Sequence, residues 1–477
     1  MTEVLFISLG CDKNRVDSEV MLASLSARGY SITDDETLAK AAVVNTCCFI
    51  HDAKEESVNE ILALASLKEA GSLQAIIVTG CLADRYYDEI AREIPEVDAV
   101  VKIAEEESLA DVLDACLSGE SAGTGALTHS ETDTPLLNIP NESVYPSPMT
   151  HSPMTHSPMT HPSPQSRMLT TTTGYAYLKI AEGCDKHCTY CIIPKVRGAY
   201  RSVPEEALVA EATFLAAQSV KELILAAQET TLYGVDLYGE KRLPALLKKL
   251  CAIDGIRWIR LLYCYPEEIT DELIDVMKRE KKILHYLDMP VQSGSDRILK
   301  LMGRKTDVKS IRAVVQKLRE AMPDVCLRTT LITGFPTETA QDVNETAAFI
   351  EELKFDRLGI FTYSAEEDTP AYEMKEQVKE VTKKMRRTRL MKLQQKIAFE
   401  AAKKMVGTTL DAIIEGYLPE EDCYVCRTYK DMPDIDGMLF LQLPLDASRD
   451  LLSGTIVQVR VTEAREYDLI GELAEAL

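Results

Sequence analysis

The segment Glu182-Gly-Cys184-Asp-Lys-His-Cys188-Thr-Tyr-Cys191 directly follows a predicted β-strand and decides the fold assignment. With 13 cysteines in 477 residues, this Cys-x3-Cys-x2-Cys spacing is expected by chance only about 0.01 times per chain. Three thiolates on one tight loop can ligate three irons of a [4Fe–4S] cluster, which leaves the fourth iron open to a small molecule. The alternative is a zinc site in which His187 supplies the fourth ligand.

Strands and helices alternate from Tyr175 onward. The predicted strands are Tyr175–Ile180, Leu223–Ala227, Trp258–Leu262, Tyr286–Asp288, Cys326–Thr330 and Arg357–Phe361. Each strand except the last is followed by a helical pattern, so the sequence predicts an open barrel of six parallel strands. Sites in such folds lie at the carboxyl ends of the strands, where the cysteine loop also lies. A charged helical stretch, Lys375–Lys404, closes this region.

The beginning of the chain also reads as parallel α/β units. The predicted strands are Val4–Ser8, Ala42–Asn45 and Ala75–Thr79, and the predicted helices are Asn14–Ala27, with Asn14 as its cap, Ala53–Lys68 and Arg85–Ile94. Each strand runs directly into a cysteine: Cys11, Cys47 or Cys81. Because parallel strand ends lie along one edge of a sheet, these thiols can meet and hold a second cluster. The alternative is three unrelated buried thiols.

Two further regions complete the domain organisation, predicted as 1–118, 119–173, 174–404 and 405–477. Residues 119–173 are rich in Gly, Ser, Thr and Pro, and they repeat Ser-Pro-Met-Thr-His at 147–151, 152–156 and 157–161. This composition predicts a disordered linker. The linker is preferred to a metal-binding tract formed by the histidines of this region, which are His129, His151, His156 and His161. The tail has short strands at Thr409–Ile414, Gly437–Leu443 and Thr455–Val461, typical of a small antiparallel β barrel. Cys423 and Cys426 in this tail are interpreted as packing residues rather than a redox pair.

Length and composition indicate a globular protein of about three domains. Hydrophobic residues make up 46% and charged residues 27% of the chain, and the net charge of −23 argues against non-specific binding to a polyphosphate. No apolar run approaches the roughly 20 residues of a membrane helix, and no basic region precedes the first apolar stretch, so the sequence predicts a cytoplasmic protein without a membrane partner. Thirteen cysteines are too many for catalysis alone, which favours cluster ligation.

The cysteine loop and the barrel around it resemble the radical S-adenosylmethionine enzymes. The resemblance implies that the open iron binds S-adenosylmethionine, which one electron from the cluster cleaves to methionine and a 5′-deoxyadenosyl radical. It also implies that Tyr190 lies against the adenine, and that Gln228 and Glu229, in place of the usual Gly-Gly-Glu, meet the methionyl amino group. Gly334, in Thr333-Gly-Phe-Pro336, matches a segment that approaches the cofactor, although an ordinary turn is the alternative.

All three predicted domains resemble those of the methylthiotransferases, which add a C-terminal TRAM barrel to a radical enzyme. The matching motifs are Leu9-Gly-Cys-Asp-Lys-Asn14, Val16-Asp-Ser-Glu19, Asn45-Thr-Cys47 and Thr79-Gly-Cys81. The resemblance implies two [4Fe–4S] clusters, held by Cys11, Cys47 and Cys81 and by Cys184, Cys188 and Cys191. It further implies two uses of S-adenosylmethionine, a flavodoxin-like or ferredoxin-like reductant and a sulfur donor. An electron carrier would explain the cysteines but not an open three-ligand site in a barrel.

Two branches of this family differ in substrate. Lys13-Asn14, the stretches Tyr175–Gly183 and Tyr265–Leu273, and Tyr363-Ser-Ala-Glu-Glu367 resemble the branch that modifies the β carbon of an aspartate in small-subunit ribosomal protein S-twelve. Met289-Pro-Val-Gln-Ser-Gly-Ser295 is more similar to the branch that modifies tRNA adenosine. From residue 406 to 477 there are five Lys and Arg against fifteen Asp and Glu, a net of −10. Such a surface favours a basic ribosomal protein over tRNA.

Overall fold

A computed structural model describes residues 2–119, 167–171, 174–443 and 450–474. The Ser-Pro-Met-Thr-His repeats and the four histidines of the predicted linker lie outside these described residues. Within them, no helix combines the length and the apolar character needed to cross a membrane.

The N-terminal domain is a parallel sheet with helices on both faces. Its strands, in the spatial order β2-β1-β3-β4-β5, are β1 (Glu3–Ser8), β2 (Ser31–Thr33), β3 (Ala41–Thr46), β4 (Ala75–Gly80) and β5 (Ala99–Val101). Its helices are α1 (Asp12–Ala27), α2 (His51–Glu69), α3 (Cys81–Arg85), α4 (Tyr87–Glu93) and α5 (Leu109–Ser118), with a 3-10 helix at Ile103–Ser108. Every residue of β3 and β4 is buried, as expected for central strands covered on both faces.

Three details of this domain differ from the sequence prediction. Helix α1 is capped by Cys11, and Asn14 instead lies buried in the first turn, where its amide donates to the carbonyls of Leu9 (3.1 Å) and Thr46 (2.9 Å). The helix predicted over Arg85–Ile94 is α4 (Tyr87–Glu93), and the short helix α3 (Cys81–Arg85) before it was not predicted. The edge strands β2 and β5 were not predicted, because three residues are too few to show a period-two pattern.

The central domain is an open sheet of six parallel strands, and all six predicted strands are confirmed. In the spatial order β13-β12-β11-β10-β9-β6 they are β6 (Tyr175–Lys179), β9 (Glu222–Ala226), β10 (Trp258–Leu261), β11 (Ile283–Asp288), β12 (Cys326–Thr333) and β13 (Arg357–Thr362). A short hairpin, β7 (Ala181–Glu182) and β8 (Arg201–Ser202), flanks the cysteine loop.

Helices cover the outer face of this open barrel. They are α6 (Ile193–Val196), α7 (Glu205–Ala217), α8 (Val235–Tyr238), α9 (Leu243–Cys251), α10 (Asp271–Arg279), α11 (Asp296–Leu301), α12 (Val308–Ala321), α13 (Ala340–Leu353) and α14 (Glu380–Lys403), with 3-10 helices at Thr230–Leu232 and Pro266–Glu268. The largest hydrophobic core lies between these helices and the sheet. Helix α14 is the charged helix predicted over Lys375–Lys404, and it begins five residues later.

The inner face of the open barrel is filled by the other two domains. Its aromatic residues, Tyr175, Tyr177, Trp258 and Tyr286, share one buried cluster with Val16 of α1 and with Ile413 and Met432 of the C-terminal domain. Arg427 of the C-terminal domain is also buried there and pairs with Glu222 of β9 at 2.6 Å. The three domains therefore form one packed body around the barrel interior.

The C-terminal domain is the predicted β barrel and it is closed, but it is not wholly antiparallel, because its third and fifth strands along the chain pair in parallel. Its strands, in the order β14-β15-β16-β18-β17, are β14 (Thr409–Leu418), β15 (Cys423–Thr428), β16 (Leu439–Gln442), β17 (Ile456–Arg465) and β18 (Asp468–Leu473). Strands β15 and β18 were not predicted. Cys423 and Cys426 lie on β15 and are buried, in agreement with their interpretation as packing residues.

The predicted linker is too long at its carboxyl end. Arg167 is buried and pairs with Glu19 of α1 (2.6 Å) and Glu211 of α7 (2.5 Å). The backbone N–H of Thr170 donates to the same Glu19 carboxylate at 3.0 Å. Residues 167–171 therefore link the N-terminal domain to the barrel, because the Arg167 guanidinium pairs with one buried carboxylate from each of them.

Candidate active site

The Cys184–Cys191 loop leaves β7 at the carboxyl end of the first barrel strand. Gly183 has a positive φ of 79°, and a Cβ there would collide with the carbonyl oxygen of Ala199, so the turn requires glycine. The N–H of Cys184 donates to the carbonyl of Gly198 at 3.2 Å, and the N–H of Thr189 donates to that of Met302 at 3.0 Å. The loop is thus held on both sides.

Cys184 and Cys188 of this loop are buried, and Cys191 is partly buried. Burial raises the pKa of the Cys184 thiol to about 11 and that of Cys191 to about 12. Such thiols stay protonated and inert at neutral pH unless a metal displaces the proton, which is the behaviour expected of cluster ligands. His187 is exposed, whereas Cys184 and Cys188 are buried. The structure therefore does not support the zinc alternative.

A buried arginine lies against this loop. The Arg304 guanidinium is 4.0 Å from the Cys188 sulfur and stacks on the Tyr265 ring, with 4.0 Å between its central carbon and the ring centroid. Its other nitrogen donates to the carbonyl of Pro290 at 3.0 Å. Arg304 therefore provides positive charge beside the thiolate of a bound cluster.

Glu229 has the features expected of a group that accepts an ammonium. It follows β9 and is fully buried, and one carboxylate oxygen accepts from the N–H of Thr231 at 3.0 Å. The other oxygen has no hydrogen-bond donor among the described residues, and the nearest cation, the Lys186 ammonium, is 3.8 Å away. Burial raises the pKa of Glu229 to about 7. A buried acceptor without a donor fits the methionyl amino group of S-adenosylmethionine.

Gln228 and Tyr190 lie on the same side of the barrel. The Gln228 amide donates to Glu182 at 2.6 Å, and its own oxygen is buried with no donor among the residues that the structure describes. Tyr190 packs against the hydrophobic cluster of side chains that contains Phe335 and Met302, next to the Thr333–Pro336 segment. The predicted cofactor residues from three separate loops are thus close to the cysteine loop.

The need for glycine at position 334 is explained by the side chain of Lys383 beside it. Its φ is 77°, and a Cβ would collide with the side chain of Lys383, which crosses the glycine to donate to the carbonyl of Tyr363 at 2.8 Å. The N–H of Gly334 donates to Glu338 at 2.8 Å. An ordinary tight turn under Lys383 is therefore sufficient to account for this glycine.

Cys11, Cys47 and Cys81 lie near one another at one edge of the N-terminal sheet. They follow β1, β3 and β4, which are neighbours in the sheet. The sulfurs of Cys11 and Cys81 lie 4.0 and 3.7 Å from the side-chain oxygen of Asn14, and a Cβ built on Gly10 would be 3.0 Å from the Cys47 sulfur. Asn14 and Gly10 thus lie among the three cysteines, and the shared second site stays a prediction.

The accessibility of these thiols differs. Cys11 is exposed, whereas burial raises the pKa values of Cys47 and Cys81. The adjacent Cys48 is also buried, and its sulfur donates to the carbonyl oxygen of Cys81 at 3.2 Å and packs in the domain core. The three thiols can hold a second cluster with one open side at Cys11.

Arg197 connects the two cysteine sets, and the sequence analysis missed it. Its Nε donates to the Cys81 sulfur at 3.2 Å, although Arg197 belongs to the loop that follows Cys191. Its other nitrogens donate to Asp17 at 2.8 Å, to Glu182 at 3.0 Å and to the Asn14 oxygen. A single arginine six residues after a cysteine is too weak a signal to identify without the structure.

The anions around Arg197 form a buried network. Lys179 donates to Glu182 at 2.9 Å and also to Asp17, so two cations face two carboxylates. Burial opposes ionisation of Glu182, but Arg197 and Lys179 outweigh it and hold its pKa well below the usual range. Glu182 lies two residues before Cys184, so the network joins both cysteine sets through charge-assisted hydrogen bonds.

Polar side chains lie between the barrel and the N-terminal cysteine set, which consists of Cys11, Cys47 and Cys81. Tyr263, after β10, has a positive φ of 56° and donates its hydroxyl to Asp12 at 3.0 Å. The Lys13 ammonium lies 3.5 Å from the centre of the Tyr263 ring and 3.1 Å from Asp12. The second Asp12 oxygen is buried without a donor among the described residues. Arg328 and the N–H of Tyr263 both donate to Asp288.

Three family models match consecutive parts of the chain. The uncharacterized protein family UPF0004 matches residues 3–102, the radical SAM superfamily matches 178–350 and the TRAM domain matches 406–474. The ribosomal protein uS12 methylthiotransferase RimO of Lachnoclostridium phytofermentans is 54% identical over 98% of this chain and 99% of its own length. This chain belongs to the RimO family. The RimO of Acetivibrio thermocellus is 44% identical over 99% of this chain and 98% of its own length.

Solved structures agree with this RimO-family fold. The radical S-adenosylmethionine methyltransferase TsrM of Kitasatospora setae has a TM-score of 0.54 and 14% identity, covering 86% of this chain and 76% of its own. The cobalamin-dependent S-adenosylmethionine radical enzyme OxsB has a TM-score of 0.51 and 13% identity, covering 73% of this chain and 52% of its own. At this identity the similarity concerns the fold alone, and it confirms the predicted architecture.

Residues Met289–Ser295, the stretch that is more similar to the tRNA branch, pack against helix α13 of this RimO-family chain. A Cβ on Gly294 would lie 2.7 Å from atoms of Thr346 and Phe349 in α13, and Ser295 donates to Asp342 of that helix at 2.8 Å. These residues are therefore accounted for by close contact with α13. Only Gln292 has an unpaired polar atom, a buried side-chain oxygen without a donor in the described part of the chain.

Proposed function

We propose that this chain transfers a methylthio group to the β carbon of an aspartate in ribosomal protein uS12. The observation that carries the proposal is full-length similarity to RimO proteins, combined with two converging cysteine sets that Arg197 joins. The open barrel alone would fit many radical enzymes. The second cysteine set supports the sulfur-transfer chemistry.

Each cysteine set has its own role in this proposal. Cys184, Cys188 and Cys191 would hold the [4Fe–4S] cluster that binds S-adenosylmethionine, with Glu229, Gln228 and Tyr190 around the cofactor. Cys11, Cys47 and Cys81 would hold a second [4Fe–4S] cluster. When bound, these groups supply a carbon radical and the methylthio group. The protein positions them, and the packed interior of the barrel excludes water.

The acidic surface of the C-terminal barrel supports a basic protein substrate. Asp431 and Asp436 of this domain face barrel arginines, Arg357 and Arg328, and do not contribute to the outer surface. Exposed carboxylates remain on the strands and hairpins of the barrel: Asp411, Glu420, Glu421, Asp422, Glu463, Glu466 and Glu472. Such a surface attracts a basic ribosomal protein and repels tRNA.

The proposal requires two partners beyond the substrate. A flavodoxin-like or ferredoxin-like protein would supply electrons to the cysteine-loop cluster, and a separate donor would supply sulfur. Cys11 is the exposed member of its set, so its side of the set is where a sulfur source would have access.

The test compares both substrate classes. Reconstituted protein is incubated with S-adenosylmethionine, a reductant and either uS12, whole small ribosomal subunits or tRNA, and the products are analysed by mass spectrometry. We expect a methylthio group on one aspartate of uS12. A methylthio group on tRNA adenosine, with none on uS12 or on small subunits, would contradict the proposal.

The affinity for S-adenosylmethionine is expected to fall as the pH drops below about 7, the pKa of buried Glu229. Above this pKa the carboxylate is ionised and can accept from the methionyl ammonium. Below it the carboxyl is protonated, and the affinity decreases by up to about tenfold per pH unit. Equilibrium dialysis across this range measures the dissociation constant.

The matched variants are Glu229→Gln and, as a control, Glu240→Gln at an exposed position. Glu229→Gln is expected to bind weakly at every pH and to lose the pH dependence, since glutamine does not ionise. Glu240→Gln should follow the unmodified protein. An identical pH profile for all three proteins would exclude Glu229 as the ammonium acceptor.

A further inference from the structure

Helix α14 (Glu380–Lys403) differs in charge from the rest of the chain. Residues 380–404 contain nine Lys and Arg against two Asp and Glu, a net of +7 in a chain whose total is −23. The protein is therefore strongly acidic everywhere else on average. A local concentration of charge opposite to the total indicates a surface with its own electrostatic role.

Four of the exposed cations of this helix form a row along one side of it. At about 100° per residue, Arg389, Lys392, Lys396 and Lys403 lie within about 60° of one another around the helix axis. All four side chains are exposed, and together we name them the basic stripe. Exposed Met385 lies on the same line, and Glu400 is the one carboxylate on this side of the helix.

The basic stripe is not neutralised by the protein. None of its four side chains forms an ion pair with a carboxylate of the described residues, although exposed cations elsewhere, such as Arg312 and Lys317, do so. The cations of α14 that face the barrel are used internally: Lys383 donates to Tyr363 and Arg386 pairs with Glu338 at 2.8 Å. The stripe therefore presents its full charge to an external partner.

The position of α14 relates the stripe to the active site. Its first turn lies at the carboxyl ends of the barrel strands, where Lys383 crosses Gly334 and reaches the residue after β13. Its last turns contact the C-terminal barrel, where the rings of Phe399 and Tyr467 are 5.0 Å apart. The stripe itself begins at Arg389, where α14 already runs alongside β13, since Arg387 donates to the carbonyl of Ile360 and Gln394 to that of Phe355, and it continues toward the acidic barrel.

We propose that the basic stripe binds the phosphate backbone of ribosomal RNA, so that the enzyme recognises uS12 within the small subunit. This proposal rests on the proposed function. A basic protein such as uS12 would be repelled by the stripe, whereas the exposed carboxylates of the C-terminal barrel suit it. A ribonucleoprotein presents both a basic protein and phosphates. The chain offers a surface for each of them, the acidic surface of its C-terminal barrel and the basic stripe of α14.

The test removes the charge of the stripe and of a matched set. The stripe variant carries Arg389→Gln, Lys392→Gln, Lys396→Gln and Lys403→Gln. The control variant carries the same charge change at exposed lysines without ion pairs in the described residues: Lys40→Gln, Lys278→Gln, Lys281→Gln and Lys309→Gln. Melting temperatures of both variants equal to that of the unmodified protein establish that neither change disturbs the fold.

Binding to unmodified small subunits is measured over a series of salt concentrations by fluorescence anisotropy. Each lost phosphate contact lowers the salt slope by about 0.7 to 0.9, so four lost contacts lower it by about 3 in the stripe variant. The control variant should keep the parental slope. Both variants should modify free uS12 at the parental rate, because the stripe does not touch the active site.

Two results would overturn the proposal. One is an equal salt slope for the two variants on small subunits. The other is a loss of affinity for free uS12 in the stripe variant as large as its loss for subunits, which would make the stripe a protein contact. If the parental enzyme modifies neither uS12 nor subunits, the proposed function itself fails, and that outcome is distinct from both.

Discussion

Alanine at Cys11, Cys47 and Cys81 is expected to abolish methylthio transfer while S-adenosylmethionine is still cleaved. The three residues lie in the N-terminal domain, whereas the cysteine loop and Glu229 belong to the barrel. Removing the second cluster therefore leaves the cleavage site complete. The measurements are iron content, 5′-deoxyadenosine formation and mass spectrometry of uS12.

The matched control is alanine at Cys184, Cys188 and Cys191. This variant should also retain one cluster, but it should release no 5′-deoxyadenosine, because the open-iron site is lost. The two variants thus separate cleavage from transfer. An iron content near four per chain in the unmodified protein would contradict the presence of two clusters.

The parallel strands that carry both cysteine sets are predictable because each is a short apolar run followed within a few residues by a cysteine. In β4, for example, Ala75–Gly80 is buried throughout and Cys81 follows at once. Neighbouring parallel strands bring their carboxyl ends together, so convergence of Cys11, Cys47 and Cys81 follows from topology alone. No detailed side-chain geometry is needed for that prediction.

Side-chain partners that are distant in sequence were not predictable. Asn14 looks like a helix cap, but tertiary contacts with Leu9 and Thr46 place it inside the first turn. Gly334 matches a cofactor segment, yet Lys383 from α14 occupies the space beside it. Arg167 lies in a stretch of polar composition, and only its two buried carboxylate partners show that it belongs to the folded body.

Arg197 is the most consequential of these missed residues, and Arg197→Met is expected to destabilise the protein. The change leaves buried Asp17 and Glu182 with Lys179 as their remaining cation. Breaking a buried ion pair by removing one partner typically costs about 3–5 kcal/mol, so thermal unfolding should occur at a clearly lower temperature. Arg197→Lys keeps the charge and should recover most of this loss.

Arg197→Lys is also expected to lower the reduction potential of the second cluster. The Arg197 Nε donates to the Cys81 sulfur at 3.2 Å, and a hydrogen bond to a ligand sulfur favours the reduced, more negative cluster. Lysine retains the positive charge but lacks the planar fork that reaches Cys81, Asp17 and Asn14 together. A redox titration followed by electron paramagnetic resonance measures both clusters in one sample.

The control for this measurement is Arg304→Lys, because Arg304 lies 4.0 Å from the Cys188 sulfur of the other set. Arg197→Lys should shift the second cluster and leave the cysteine-loop cluster unchanged, whereas Arg304→Lys should do the reverse. Methylthio transfer should fall in Arg197→Lys while 5′-deoxyadenosine formation continues, since only the second site is altered. Equal potentials in both variants and the unmodified protein would show that Arg197 acts only through the stability of the domain interface.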